Sequence, residues 1–157
     1  MRSLLFCIAS FVILFLAGCE GGQRDYSRWA NISPEGWAYA DTVSLLPADT
    51  SLLDNDSLVN AALKVALRHS NAYRYSNIWL ELTYHTANNR LVRDTLDIRL
   101  ADVYGRWLGS GFGASYQREV TVSPQTVIDL TRHVDVRHIM RVDTLQGIEQ
   151  LGIEIVR

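Results

Sequence analysis

The clearest candidate for covalent chemistry in this sequence is Cys19, which follows Leu16, Ala17 and Gly18. Small residues directly before a cysteine fit the groove of a lipoprotein signal peptidase, and the cysteine then becomes the acylated N-terminus. These four residues therefore predict a lipobox, with lipid chains such as palmitate attached at Cys19. The alternative interpretation is an ordinary secretory signal in which the cysteine is incidental.

The residues before Cys19 have the composition of a cleaved export signal. Arg2 supplies a short positive segment, and residues 4–17 are apolar apart from Ser10. Fourteen residues rise too little as a helix to cross a hydrocarbon core of about 30 Å. Because Cys7 leaves with the signal, the mature chain keeps one of its two cysteines, and we expect no intrachain disulfide.

Candidate metal ligands occur at residues 133–138, which read HVDVRH. On a strand, His133 and Asp135 would share one face, whereas His138 would have the opposite parity. Two converging ligands fall short of the three that zinc usually takes from a protein. The sequence therefore predicts no metal site.

Other catalytic arrangements are not indicated either. Residues 109–111 read Gly-Ser-Gly, but a nucleophile elbow has its glycines two positions from the serine on each side. The spacing also fits neither a phosphate loop nor a dinucleotide turn. Acids such as Asp94, Asp97 and Asp102 are more often solvated or paired with arginine. We expect no enzyme, no catalytic residue and no cofactor beyond the covalent lipid on Cys19.

A segment rich in glycine and aromatic residues follows at 104–113. Glycines stand at positions 105, 109, 111 and 113, where they permit positive φ or close backbone approach. Such a segment is either a connection tucked over the end of a sheet or a binding loop. As a binding loop, its candidate partner-contacting or ligand-contacting residues are Tyr104, Arg106, Trp107 and Phe112.

Core packing is the competing interpretation for the aromatic residues of this loop. Trp and Tyr flanked by leucine are mostly buried, so packing is the favoured alternative. We expect Trp107 to cap one end of the fold, with Gly105 and Gly109 letting the chain double back over it. Arg106 is expected to be exposed.

The elements that must position this loop are strands. Leu96, Ile98 and Leu100 alternate with polar residues, and residues 78–85 alternate in the same way before a turn at 87–90, which predicts a hairpin. Residues 58–69 fit a helix or a strand, and the turn signals on both sides, together with the family resemblance given below, favour a strand. Seven or eight short strands predict an all-β fold, a single antiparallel β-sandwich of jelly-roll or Ig-like type.

Domain boundaries follow from composition. We expect a cleaved lipoprotein signal peptide at residues 1–18, a lipidated N-terminus and flexible tether at 19–36, and the β-sandwich domain at 37–157. The formal net charge of −2 and the pI near 6.0 give no basic face for nucleic acid.

Three stretches between residues 73 and 155 form an ordered set of motifs. They are YRYSNIWL from Tyr73, then DTL, LAD and GRWLGSG between Asp94 and Gly111, then Met140-Arg141, Leu145, Gly147-Ile148 and Leu151-Gly152-Ile153. In order and spacing this set resembles the gliding motility lipoprotein GldH family. Arg74 and Ile78 depart from the family pattern, which commonly has proline and leucine there.

The resemblance implies a membrane-anchored envelope lipoprotein that is an accessory or structural component of the gliding motility machinery and its associated protein secretion. Its partners would be the membrane, through the lipid, and other envelope or motility-complex proteins, with no nucleic acid and no small-molecule cofactor. The alternative is a lipid-anchored sandwich module that binds a glycan or peptide through aromatic residues, without a direct motility role.

The residues after Cys19 bear on its location in the envelope. Surface export of such lipoproteins uses an acidic pair just after the cysteine, whereas here Glu20 is followed by two glycines. We therefore expect an outer-membrane lipoprotein that faces the periplasm, with surface exposure as the alternative.

Overall fold

The computed structural model describes residues 26–45 and 57–157, which form an antiparallel β-sandwich. Across these residues the strands, in chain order, are β1 (Tyr26–Asn31), β2 (Trp37–Ala38), β3 (Val43–Leu45), β4 (Leu58–Ser70), β5 (Asn77–His85), β6 (Leu91–Arg99), β7 (Ser110–Phe112), β8 (Ser115–Asp129), β9 (Val134–His138), β10 (Thr144–Leu145) and β11 (Ile148–Val156). No helix in this part of the chain is long and apolar enough to cross a membrane.

Two sheets make up the sandwich. The first has five strands in the order β1-β11-β4-β8-β7, and the second has four in the order β3-β9-β5-β6. A two-stranded ribbon of β2 and β10 accompanies them, and all pairs are antiparallel. The predicted all-β sandwich is confirmed, although the described residues hold eleven strands rather than seven or eight. Four of these strands, β2, β3, β7 and β10, are two or three residues long, too short to show alternation in the sequence.

The core lies between the sheets, and the inner strands β4 and β5, one from each sheet, contribute alternate residues to it. On β4, Leu63, Val65 and Leu67 are buried, and on β5, Leu80 and Leu82 are buried with them. The segment at 58–69 is therefore a strand, as its flanking turns and the family resemblance predict. Its two neighbours, β11 and β8, cover both of its edges.

The boundary between tether and domain differs from the sequence prediction. Composition assigns residues 26–31 to the flexible tether, but they form β1 and pair with the last strand, β11, from Tyr26↔Ile155 to Asn31↔Gln150. The ring of Trp29 lies against Gly152, where a Cβ would collide with it. Because β1 is an edge strand whose buried and exposed residues alternate only weakly, its sequence shows little of the hydrophobic pattern that predicts a strand.

The predicted signal peptide and Cys19 lie outside the described residues.

The predicted hairpin around residues 87–90 is confirmed. Strands β5 and β6 pair continuously from Asn77↔Arg99 to His85↔Leu91, joined by a short 3-10 turn at Ala87–Asn89. Asn88 and Asn89 adopt positive φ of 59° and 57°, a conformation that asparagine tolerates better than most residues. This hairpin delivers the chain to the glycine-rich loop at the end of the sandwich.

Candidate functional site

Residues 101–107 fold into a small hairpin, called the finger here, directly after β6. Its base is closed by a bridge between Ala101 and Trp107 and by a hydrogen bond in which Leu108 N donates to Leu100 O over 2.7 Å. Further out, Asp102 N donates to Arg106 O over 2.9 Å. These bonds give the finger a defined backbone despite its position outside the sheets.

The side chain of Asp102 holds the turn of the finger. Its Oδ1 accepts hydrogen bonds from the backbone N–H groups of Tyr104 and Arg106, both over 2.9 Å, and its Oδ2 accepts one from Arg106 Nε over 2.7 Å. The backbone hydrogen bond from Arg106 is the chief cause that lowers the pKa of the Asp102 carboxyl, so the carboxylate form is favoured. Gly105 completes the turn with a φ of +79°.

The tip of the finger presents apolar surface to solvent. Val103 is 85% exposed and Tyr104 is 83% exposed, the highest values among the exposed large apolar residues of the described chain. The guanidinium of Arg106 lies 5.7 Å from the centroid of the Tyr104 ring, within cation–π range. The finger can therefore insert a preformed aromatic and aliphatic tip into a complementary surface at a small entropic cost.

Trp107, on the returning side of the finger, packs inward against the edge of the core. Its ring centroid lies 4.6 Å from that of His69, 6.0 Å from that of Tyr116 and 6.5 Å from that of Tyr73. Its Nε1 donates to Asn71 Oδ1 over 2.9 Å. These contacts fix the base of the finger on the five-stranded sheet.

The histidine at the centre of this aromatic cluster is a residue that the sequence analysis missed. His69 is fully buried on β4, paired in register with Tyr116 of β8, and the two rings stack with centroids 5.7 Å apart. Its Nδ1 lies 3.3 Å from Ser70 O, and its Nε2 has no hydrogen-bond partner. Desolvation lowers the pKa of His69, so its neutral form is favoured. His69 lies at an even spacing along the strand from Leu63, Val65 and Leu67 and therefore on the same face of β4. This alternation is the feature of the sequence that could have predicted its burial.

The four predicted loop residues are placed differently from one another. Tyr104 and Arg106 are exposed on the finger, whereas Trp107 is half-buried at its base. Packing is therefore the correct interpretation for Trp107 and the wrong one for Tyr104. Phe112 ends β7 at the sheet edge, and its side chain lies outside what the structure describes.

The other chemical candidates are separated by the fold. Asp135 accepts a hydrogen bond from Ser44 over 2.7 Å, and His138 Nε2 lies 3.0 Å from Trp37 O in the core. Burial lowers the pKa of His138. In residues 26–45 and 57–157, no three side chains of the metal-binding types lie together. Ser110 belongs to the short edge strand β7 and not to a nucleophile turn.

A second polar feature crosses the outer face of the five-stranded sheet. Arg68 donates to Gln150 Oε1 over 2.7 Å and to Gln117 Oε1 over 3.0 Å, and Gln150 Nε2 donates to Asn31 Oδ1 over 2.7 Å. The Arg68 guanidinium also lies 5.7 Å from the Trp29 ring. These side chains form their hydrogen bonds with one another. The row is therefore best explained as a structural network that joins β1, β11, β4 and β8.

Comparisons with known proteins agree with the three sequence motifs. A family model described as GldH lipoprotein matches residues 24–155. The chain is 29% identical over 155 residues to a protein named gliding motility lipoprotein GldH homolog from Christiangramia forsetii, covering 92% of this chain and 90% of that relative. Among solved structures, the coat protein of Tobacco streak virus matches at 10% identity with a TM-score of 0.27, covering 88% of this chain and 91% of that one. A likeness this weak supports no conclusion about fold or function.

Proposed function

The chain belongs to the GldH lipoprotein family, and we propose that it is an accessory or structural subunit of the gliding motility machinery and its associated secretion, acting through protein–protein contacts. Family membership makes it a motility-associated lipoprotein with a membrane-anchored place in the envelope. The proposal adds a mode of action to that coarser description. It also adds a surface through which the contact is made.

The observation that carries the proposal is the ordered finger with an exposed apolar tip. Three hydrogen bonds to Asp102 fix the backbone and the Arg106 side chain, while Val103 and Tyr104 remain almost entirely in solvent. Exposed tyrosine with a neighbouring arginine is the composition of residues that dominate binding energy at protein interfaces. A rigid projection of this kind fits a pocket on a partner protein.

The same geometry disfavours the alternative of a glycan-binding module. Sugar rings stack on accessible aromatic faces, and a row of exposed, coplanar rings would favour a glycan. Trp107 instead directs its ring into contacts with His69, Tyr73 and Tyr116, and the Tyr104 ring has the Arg106 guanidinium beside it. The finger therefore favours a protein pocket over a sugar chain.

The anchor proposed for this protein is lipid on Cys19, placing it in the outer membrane with the sandwich towards the periplasm. A single acyl chain gives only marginal attachment, with a partition constant of about 10⁴ M⁻¹, so several chains are needed. No catalytic step and no cofactor other than this lipid form part of the proposal. Cys19→Ser should release the protein from the membrane or leave the precursor unprocessed, and a Cys19→Ser chain that is fully processed and membrane-bound would contradict the anchor.

The function is tested in cells that lack this chain and receive it back on a plasmid. We expect the wild-type chain to restore surface movement and protein export, and Tyr104→Ser to fail at normal protein levels. Tyr39→Ser is the matched control, because Tyr39 is 46% exposed and lies in the turn after β2, outside the finger. Cells that move and secrete normally without the chain would contradict the proposed function, and full rescue by Tyr104→Ser would contradict the role of the finger.

A further inference from the structure

The outer strand of the four-stranded sheet, β6, has a long open edge in the described chain. It pairs only with β5, over nine residues without a bulge. The other outer strands are shorter, with three residues each in β3 and β7 and six in β1. A long regular edge offers unpaired N–H and C=O groups to another strand.

The hydrogen-bond pattern shows which backbone groups of β6 point away from β5. Leu100 N donates to Ser76 O, and Thr86 N donates to Arg90 O, in both cases between directly opposite residues with even numbers. Bonded and non-bonded positions alternate along an antiparallel pair. Odd positions of β6 therefore turn their amide and carbonyl groups outward, and these positions are Leu91, Arg93, Thr95, Asp97 and Arg99.

We propose that this edge pairs antiparallel with the same edge of a second copy of the chain, about a two-fold axis at Thr95. In this register Thr95 faces Thr95, and Arg93 of each copy faces Asp97 of the other. All of these are outward positions, so the two edges exchange backbone hydrogen bonds in full register. Opposite charges directly across an antiparallel pair attract, and the two-fold axis produces the attraction twice.

The order of charges along β6 selects this register over its neighbours. An axis at Arg93, at Asp94 or at Asp97 would place that residue opposite its own copy, with like charges in contact. An axis at position 96 would place Arg93 opposite Arg99, and an axis at position 98 would overlap the two strands only at residues 97–99. Charges on an edge commonly protect it from unspecific pairing. Here they favour one self-complementary register along the whole strand, which identifies a second copy as the strand that the edge accepts.

Both charged residues are available for this contact. The Arg93 side chain is 62% exposed, and its Nε lies 3.9 Å from Glu81 Oε1, whereas Arg137 Nε lies 2.8 Å from the same oxygen and is its closer cation. Asp97 Oδ1 accepts a hydrogen bond from Asn77 over 2.6 Å. A carboxylate has lone pairs for several donors, so Asp97 can also receive a guanidinium from a second copy.

The pairing is tested by disulfide trapping of the full-length chain in its own membranes. Two facing Thr95→Cys residues would have Cα atoms about 5.5 Å apart, within the range that a disulfide spans. We expect mild oxidation to give a covalent dimer of twice the chain mass with Thr95→Cys. The parent chain and Thr121→Cys, an exposed position on β8, should remain monomeric under the same treatment.

Charge reversal then tests the register. In the Thr95→Cys chain, Arg93→Asp alone or Asp97→Arg alone should slow trapping by about 10-fold, since each makes both cross-strand pairs repulsive. Co-expression of the two reversed chains should restore trapping, but only as the mixed dimer, because each now supplies the charge that the other needs. Melting curves of the reversed chains serve as the check on folding.

Several outcomes would overturn the proposal. Thr95→Cys could give no dimer, or a product joined to a different protein. The rate of dimer formation could be the same with and without charge reversal. The two co-expressed reversed chains could fail to pair although each remains folded. A different protein trapped at Thr95 would mean that the edge accepts a foreign strand. None of these results depends on the finger, so they leave the proposed function to its own test.

Discussion

Tyr104 and Trp107 stand three residues apart in one glycine-rich segment, yet one is exposed at the tip of the finger and the other packs at its base. The difference comes from backbone pairing. Asp102 pairs with Arg106 and Ala101 with Trp107, which leaves residues 103–105 as the turn. Aromatic composition alone therefore does not separate a binding residue from a packing residue, whereas the register of the surrounding backbone does.

The largest effect is expected at the packing residue. Trp107→Ala removes the contacts with His69, Tyr73 and Tyr116 and the hydrogen bond to Asn71, and should lower the free energy of unfolding by about 2–4 kcal/mol. Thermal or denaturant unfolding measures this change. Trp79→Ala is the control, because Trp79 is 41% exposed on a sheet face and its loss should cost less than that of Trp107. Equal effects of the two changes would remove the distinction between tip and base.

Two glycines sharpen the comparison. Gly109 has a φ of +98°, and a Cβ there would collide with Gln117 O, so Gly109→Ala should destabilise the fold by about 3 kcal/mol. Gly105 has a φ of +79° but nothing near its missing Cβ, so Gly105→Ala should cost only about 1 kcal/mol. Denaturant midpoints measure both changes. A Gly105→Ala chain less stable than Gly109→Ala would mean that the finger, rather than its base, supports the fold.

The buried histidines predict a pH dependence. Burial lowers the pKa of His69 and His138 below their ordinary value of 6.5, so the unfolded chain binds more protons than the folded one just below that pH. Stability should be complete above about pH 6.5 and fall as the pH decreases, by at most about 1.4 kcal/mol per pH unit for each histidine.

Unfolding measured between about pH 7.5 and 5 checks this dependence. His69→Gln should flatten the curve, since a glutamine side chain does not titrate. A chain whose stability rises on acidification through this range would contradict the neutral state assigned to the buried rings.

The smallest effect on stability is expected at Asp102, which lies outside the core. Asp102→Ala removes the acceptor for the Tyr104 and Arg106 amides, so these amides should exchange with solvent faster while the melting temperature hardly changes. Hydrogen exchange followed by NMR measures the amides, and a thermal melt measures the stability. Asp102→Asn keeps one acceptor oxygen and should give an intermediate exchange rate. Unchanged exchange in Asp102→Ala would show that the turn is held by other contacts.

Sequence patterns predicted the central part of the fold because its strands alternate over many residues. The hairpin of β5 and β6 follows directly from alternating buried positions such as Ile78 and Leu80. Residues 58–69 fit a helical pattern as well, and there the flanking turns and the family resemblance favour the strand that β4 forms. The first strand was missed, since Tyr26–Asn31 lies at a sheet edge and its partner is the last strand of the chain. No local pattern carries information about a partner at the opposite end of the sequence.

The finger could be predicted only in part. Its residues and its glycines were identified from composition, and Arg106 was expected to be exposed. The exposure of Tyr104 and the burial of His69 depend on which residues face each other after folding. His69 on β4 pairs with Tyr116 on β8, and the glycine-rich loop lies between these two strands in the sequence. The burial of either residue therefore cannot be predicted from its neighbours in the sequence alone.

The most direct test of the central claim is a photo-reactive side chain placed at position 104 of the lipidated chain in the envelope of cells that produce it. We predict a crosslink from this position to a discrete envelope protein, and none to that protein from position 79 on the sheet face. Asp102→Ala in the same chain should weaken the crosslink without changing the protein level. Crosslinks from position 104 that reach only lipid, or that are equal in yield and identity to those from position 79, would contradict the claim that the finger is the partner-binding site.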